Sequence, residues 1–432
     1  MNLSLSNILA VLFRPLLFVV YYLAGFWPRN SRRWVFGSWS GLRYADNTAA
    51  LFEYAAAIKQ HGIEVVWISR DRRIVESLRE RNLRAHATFS PAGIWTCLTG
   101  GVFVFDGLTR DINHWLSRGA KRVLLRHGVG IKVIERAIKN RRHRLFQLFH
   151  GNILQRMFWN YVLPWHAVTP DFAIATSEVH LQQGALYFGM RSQSLAITGF
   201  PRNDQLLGDA QLGTMSADHA WIEAARREGC PVFLYLPTFR DNAEWFSVPW
   251  QNLDAAAGRA GVRLLVKLHV VDVNRGVGNE VGETRNLRLA DSGVDCNSLF
   301  RMADGLISDY SSATFDFILT HKPVIFFVPD LDDYLSHSRS FYFSYADVTP
   351  GPKVKTVEAL EQALQHAAKE GIGDWGEKYE AVLEQFHVFR DARACERTYH
   401  EIRRRFLGVE VPDNVAQARL MPGDQENKKC AF

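Results

Sequence analysis

Four polar clusters, each directly behind a short apolar run, hold the residues best suited to move a proton or grip a phosphate. They are Arg126-His127-Gly128-Val129-Gly130, Leu236-Pro237-Thr238-Phe239-Arg240-Asp241, Lys267-Leu268-His269 and Ser308-Asp309-Tyr310-Ser311-Ser312-Ala313-Thr314. Imidazole titrates near neutrality, so His127, followed by a glycine that lets a ligand come close, suits a general base acting on a hydroxyl. His269, beside Lys267, suits donation to a diphosphate as charge departs with the leaving group. Ser311, Ser312 and Thr314 stand where a strand runs into an apparent helix, and hydroxyls joined to free backbone N–H groups there can hold phosphate without a metal. Each has a plainer alternative. Serine, threonine and aspartate are ordinary helix caps, and a lone histidine in a chain with 15 is more often structural. The clusters and Arg339, taken together, favour phosphate. Asp330, Asp332 and Asp333 are the residue type that binds magnesium diphosphates. Their place in a loop after Pro329 reads instead as a solvated turn, so neither a metal nor a cofactor is expected.

The runs that present these clusters are short and rich in β-branched and aromatic residues. In the first half they are Trp34-Val35-Phe36-Gly37, Glu64-Val65-Val66-Trp67-Ile68, Val102-Phe103-Val104-Phe105, Arg122-Val123-Leu124-Leu125, Phe172-Ala173-Ile174-Ala175 and Ser194-Leu195-Ala196-Ile197. In the second half they are Val232-Phe233-Leu234-Tyr235-Leu236, Val262-Arg263-Leu264-Leu265-Val266, Gly305-Leu306-Ile307-Ser308 and Val324-Ile325-Phe326-Phe327. Helix-length segments separate them, and this alternation predicts doubly wound parallel sheets covered on both faces. A single core stops growing near 250–300 residues, so a chain of 432 calls for two domains. The expected boundaries are an apolar segment 1–33, a first α/β domain 34–204, a connecting helix and linker 205–229, a second α/β domain 230–407 and a mobile tail 408–432. Ligands of open α/β sheets bind beyond the carboxyl ends of the strands, where the clusters lie.

A composition of 47% hydrophobic and 22% charged residues excludes a disordered chain and a multi-span membrane protein. The net charge of +6 is small, but Arg126, Lys132, Arg136, Lys139, Arg141, Arg142, Arg144 and Arg156 crowd into one stretch with Glu135 as its acid. Interleaved with Leu145, Phe146, Leu148, Phe149, Ile153, Leu154, Phe158 and Trp159, that stretch predicts basic interfacial helices near 131–162 that meet an anionic membrane surface. Nothing else in the chain suits nucleic acid. The N-terminal segment is strongly apolar, yet Arg14 and Pro15 cut it and leave Leu16 to Trp27, short of the roughly 20 residues a span needs. A helix lying in the inner leaflet is expected, with Arg29, Arg32 and Arg33 on the cytoplasmic side; a helix packed on the body and a true span are the alternatives. The five scattered cysteines lack metal or redox spacing and predict a reduced, cytoplasmic compartment.

The motifs, in order, resemble the CDP-glycerol glycerophosphotransferase family, which includes teichoic-acid primases and polymerases and related capsule polymerases. The resemblance is carried by Gly37-Ser38 with Asp46-Asn47, Arg126-His127-Gly128, Thr198-Gly199-Phe200-Pro201-Arg202-Asn203-Asp204, Leu236-Pro237-Thr238-Phe239-Arg240-Asp241, Lys267-Leu268-His269, Ile307-Ser308-Asp309-Tyr310-Ser311-Ser312, Asp316-Phe317, Lys322-Pro323 and Arg339-Ser340-Phe341-Tyr342. It implies a GT-B-like fold of two such domains facing a cleft, with CDP-glycerol or a related CDP-polyol held by the second. A membrane-linked polymer acceptor would meet the first, and the enzyme would lie peripherally on the cytoplasmic face of the cell inner membrane. By the same resemblance His127 and His269 are catalytic, and Thr238, Arg240, Lys267, Asp309, Ser311, Ser312, Thr314 and Arg339 bind the donor. Three departures from the family pattern, Arg126 for an aromatic, Val270 for a proline and Ser340 for a glycine, leave ribitol phosphate open beside glycerol phosphate. A nucleotide-sugar glycosyltransferase and a non-catalytic scaffold are the competing readings, and the oligomeric state is not legible.

Overall fold

The computed structural model describes residues 13–59, 61–208, 216–240, 248–277, 281, 284–337 and 341–411. They form two compact units. The first takes the chain up to 127, then 134–204 and the chain from 393 onward; the second takes 128–133 and 205–392.

The first unit is built on β1 (Asn30–Gly37), β2 (Glu64–Ser69), β3 (Ala85–Ala87), β4 (Gly100–Phe105), β5 (Lys121–Leu124), β6 (Phe172–Ala175) and β7 (Leu195–Ile197). All pairings are parallel, in the order β3-β2-β1-β4-β5-β6-β7. The second unit repeats the winding with β8 (Val232–Tyr235), β9 (Arg263–Val266), β10 (Leu287–Leu289), β11 (Gly305–Ser308), β12 (Val324–Phe327) and β13 (Lys353–Val354), ordered β10-β9-β8-β11-β12-β13. Strand order therefore reverses between β1 and β4 and between β8 and β11, and the loops beyond those points are where such sheets bind ligands. Covered on both faces, the central strands are apolar without alternation. Trp34, Val35, Phe36, Val102, Phe103 and Val104 are wholly buried, each burial contributing roughly 1.5–3 kcal/mol.

The structure departs from the sequence expectation at the boundaries. Helix Ala394–Leu407, expected in the second domain, packs on the first unit: Asp204 accepts from the N–H groups of Ala394 (2.8 Å) and Cys395 (2.7 Å), and Arg397 donates to the Thr198 carbonyl at 2.8 Å. Helix Ala217–Arg227, expected as a connector, belongs to the body of the second unit, with Ile222 and Ala225 buried and His219 against Ser298 at 3.0 Å. The tail beyond 411 lies outside the described residues.

Among the described residues the N-terminal apolar segment is a helix over Arg14–Ala24; residues 1–12 lie outside them. It docks on the first unit by rings: Phe18 meets Trp115 at 5.4 Å and Tyr161 at 5.9 Å, and Tyr21 stacks on His114 at 5.0 Å. Among the described residues no helix is long and apolar enough to cross a membrane. Two of the three arginines expected at the membrane surface are structural. Arg29 is half-buried and donates to the carbonyls of Ala24, Cys97, Gly100, Leu116 and Arg118, and Arg33, within β1, pairs with Glu64 at 2.7 Å.

Asp204 holds the start of helix Ala394–Leu407, so Asp204→Ala should leave two N–H groups of a closed interface without acceptors. Loss of such a cap costs about 1–3 kcal/mol; denaturant unfolding of the full chain measures it, with Asp332→Ala on the surface as the unaffected control.

Candidate active site

In the first unit the loop after β5 carries His127, which is exposed, on a backbone that turns through the left-handed region at Arg126 (φ 63°). Two neighbours hold that turn. Asn47 donates from Nδ2 to the Arg126 carbonyl (2.8 Å), and Arg202 donates from Nη1 to the His127 carbonyl (3.0 Å) while its own N–H reaches Asn47 Oδ1 (3.1 Å). The Arg202 guanidinium is ion-paired with Asp46. Arg126 points inward, is almost fully buried, and donates to the His180 carbonyl at 3.0 Å beside the Phe188 ring; burial pushes its pKa down. An arginine where the family has an aromatic thus fills a core position and leaves His127 outward. The His127 ring lies 6.0 Å from that of Trp39.

Beneath Asp46 lie two further carboxylates. Asp106, at the end of β4, accepts from the Thr48 N–H at 3.1 Å, and its other oxygen is buried with no hydrogen-bond partner. Burial, then the charge of Asp46, pushes its pKa well up. Asp111 accepts from the N–H groups of Ser40 (2.8 Å), Gly107 (2.9 Å) and Leu108 (3.1 Å); burial pushes its pKa up in spite of these bonds.

In the second unit the loops after β8 and β11 are joined through Asp309. Its carboxylate accepts from the Thr238 N–H (2.8 Å) and hydroxyl (2.5 Å), the Tyr310 N–H (2.5 Å) and Arg240 Nη1 (2.9 Å). Arg240 also meets Asp330 through Nε (2.6 Å) and Nη2 (3.0 Å) and lies 4.9 Å from the Tyr310 ring centroid. Burial alone would lower its pKa, but Asp309 and Asp330 together raise it. Thr238, Arg240 and Asp309, expected to grip the donor, are hydrogen-bonded to one another and join the loops after β8 and β11. Asp330, expected in a solvated turn, is buried against Arg240, whereas Asp332 and Asp333 are exposed, Asp332 beside Lys355 at 2.8 Å. Thr314 is buried and donates to Ser308 Oγ at 3.0 Å, tying helix to strand instead of facing outward.

His269, Lys267, Ser311 and Ser312 remain at the surface of this unit. His269 Nδ1 accepts from the Val271 N–H at 3.2 Å, which selects the tautomer with its proton on Nε2, the nitrogen suited to donate to a phosphoryl oxygen. Its ring stacks on Phe239 at 5.7 Å, and Arg275 packs over the same ring at 5.3 Å while donating to the Arg240 carbonyl at 2.9 Å. Lys267 is tethered to the carbonyls of Asp291 (3.1 Å) and Ser292 (3.2 Å). Ser311 Oγ accepts from the Ala313 N–H at 3.2 Å, but the helix it precedes is only Ala313–Phe317, too short for much of a dipole. Arg339 lies outside the described residues. The segment directly after His127 is built into this unit: Lys132 bridges to Phe341, the Tyr342 N–H donates to the Ile131 carbonyl at 2.6 Å, and Lys132 Nζ lies 5.3 Å from the Tyr334 ring. Among the described residues no group of three or more His, Cys, Asp and Glu side chains could hold a metal ion. Asp106, Asp111 and Trp39 escaped the sequence reading, although Asp106 follows a strand end as the four clusters do.

Two parallel sheets with polar loops at their strand ends define a chain of the GT-B-like α/β class. The family model described as CDP-Glycerol:Poly(glycerophosphate) glycerophosphotransferase matches residues 19–404, and the chain belongs to that family. It is 23% identical to the teichoic acid poly(glycerol phosphate) polymerase of Bacillus spizizenii over 89% of this chain and 95% of that one. It is 29% identical to the teichoic acid ribitol-phosphate polymerase TarK of Staphylococcus aureus over 54% of this chain and 45% of the relative. The wall teichoic acid polymerase TagF superposes with a TM-score of 0.71 at 20% identity, covering 93% of this chain and 96% of that one, which is a likeness of fold.

Removing one partner of a buried ion-pair cluster costs about 3–5 kcal/mol, so Arg240→Met and Asp330→Ala should each destabilise the second unit by that much. His269→Ala, at the surface, should stay within about 0.5 kcal/mol of the parent. Equilibrium unfolding in urea separates the two classes.

Proposed function

We propose that this chain transfers glycerol phosphate, or ribitol phosphate in its place, from a CDP-linked donor to a hydroxyl of a membrane-linked polymer or its primer, releasing CMP. The reading rests on one observation: a member of the glycerophosphotransferase family carries an exposed histidine at the carboxyl end of a strand in each unit, on backbones held by buried polar networks. The acceptor oxygen attacks the phosphorus bearing the polyol and its proton passes to His127. A new P–O bond forms as the bond to the bridging oxygen breaks. The charge that leaves with CMP is met by His269 Nε2–H and the hydroxyls of Ser311 and Ser312, with Lys267 nearby. Positioning and charge stabilisation do most of the work in such in-line transfers. The family gives no preference to the nucleotide-sugar alternative.

Incubation with CDP-glycerol, CDP-ribitol and UDP-sugars, following the released nucleotide, tests the reading: CMP is expected from a CDP-polyol, and a nucleoside diphosphate from a UDP-sugar would refute it. His127→Ala should lower turnover by about 100-fold or more, the usual share of a general base, with the donor KM nearly unchanged.

Peripheral membrane attachment is part of the proposal. On the first unit Leu16, Val19, Leu23 and Phe26 are exposed, as are Ile153, Leu154, Met157 and Phe158 on helix Ile153–Val162. The two sets are joined where Phe18 stacks on Tyr161 and Arg14 donates to the Tyr161 carbonyl at 2.5 Å. Arg141, Arg142, Arg144 and Arg156 are exposed around them. The basic helices start later than expected, at Arg144, and Lys132 faces Tyr334 and takes no part. Leu16→Ser with Leu23→Ser should weaken co-sedimentation with anionic vesicles, and neutralising Arg141, Arg142 and Arg144 should remove its salt dependence, since each basic group near such a surface contributes about 1 kcal/mol. Equal binding to neutral and anionic lipid would refute the electrostatic share.

A further inference from the structure

We propose that Trp39 and Arg43 form an acceptor subsite beside His127, the indole face carrying the carbon chain of the polyol acceptor and the guanidinium taking its nearest phosphodiester anion. This rests on the reading of His127 as the base of a polyol-phosphate transfer. The loop after β1 passes through three successive left-handed residues, Trp39 (φ 48°), Ser40 (φ 58°) and Gly41 (φ 77°). Only glycine adopts that conformation without a steric penalty, so the first two positions are strained, and strain of this kind persists where surrounding contacts over-determine it. Those contacts are present. Asp111 accepts from the Ser40 N–H at 2.8 Å, Ser69 Oγ donates to the Gly41 carbonyl at 2.8 Å, and Ser38 bridges to Arg43 across the turn.

The strain does not bury the tryptophan. Trp39 stays 41% exposed, so its own packing does not account for the turn, and a simple connection could place glycine or asparagine there. What the turn achieves is a fixed, open aromatic face next to the base. Trp39 Nε1 donates to Asp46 Oδ2 at 3.3 Å, which sets the indole, and the ring centroid lies 6.0 Å from that of His127. The Arg43 guanidinium lies 5.5 Å from the same indole ring. No carboxylate among the described residues pairs with Arg43, so its charge is available to an anion. An apolar face and an uncommitted cation, side by side at the nucleophile's position, match an acceptor in which short carbon chains alternate with phosphodiesters.

Acceptor titrations with the full chain test this, using a soluble oligomer of glycerol joined by phosphodiesters and glycerol itself as a neutral acceptor. Trp39→Ala should raise the KM of both acceptors about tenfold or more, with the donor KM unchanged. Arg43→Gln should raise KM only for the phosphodiester oligomer and flatten its salt dependence. Trp39→Gly keeps the left-handed turn without its Cβ, and should melt no lower than the parent while showing the same rise in KM. If the unaltered chain releases no CMP from any CDP-polyol, the transferase reading itself is overturned. If it does, and the acceptor KM is unmoved in both Trp39→Ala and Arg43→Gln, or Trp39→Gly melts lower, the subsite alone is overturned.

Discussion

A parallel strand that stops at the edge of its sheet hands the chain to a loop whose N–H groups have no ladder partner, and burying such a group unmet costs about 1–3 kcal/mol. Both units answer this constraint with a buried carboxylate at the strand-order reversal. Asp111 gathers three backbone N–H groups from the loops after β1 and β4, and Asp309 gathers two, a hydroxyl and a guanidinium from the loops after β8 and β11. Neither carboxylate needs to touch a ligand. Each turns a short loop into a rigid shelf, and the histidines stand on or beside those shelves. Asp111 fixes the loop of Trp39, whose ring lies 6.0 Å from that of His127, and Asp309 fixes Arg240, whose carbonyl takes Arg275 over the Phe239 ring on which His269 stacks.

The second unit shows how far this goes. Arg240 lies between two aspartates and against two aromatic rings, so three ionised groups are buried together with a net charge of minus one by simple addition. The hydrogen bonds from Thr238 and from the Tyr310 N–H and hydroxyl offset that residual charge. The result is expensive to disturb.

Strand content was legible because buried parallel strands must be apolar. Each predicted run from Trp34 to Phe327 corresponds to an observed strand. The three strands that escaped, β3, β10 and β13, are edge strands of two or three residues such as Ala85-His86-Ala87, too short to show a pattern. The site was legible in location and only partly in role. A sequence shows that Arg240 and Asp330 are charged but not that ninety positions of chain separation close to 2.6 Å. It also cannot show a left-handed φ at Trp39, because tryptophan has no preference for it. Arg29 misled for a related reason: an arginine beside an apolar segment looks like a membrane anchor until the carbonyls around it are known.

Helix Ala394–Leu407 has a further consequence, in the order in which the chain is made. The first sheet is complete once Ile197 has been synthesised, but Asp204, the Thr198 carbonyl and the ring of Trp34 meet Ala394, Arg397 and Tyr399, which come after the whole second unit. Asp204 and Ala394 are 190 positions apart, a gap that takes roughly 10–40 s to synthesise at the usual rate of about 5–20 residues per second. For that interval the nascent first unit presents an unfinished apolar face. The second unit must form while that face waits, so any delay in its folding lengthens the time during which the first can bind something other than helix Ala394–Leu407.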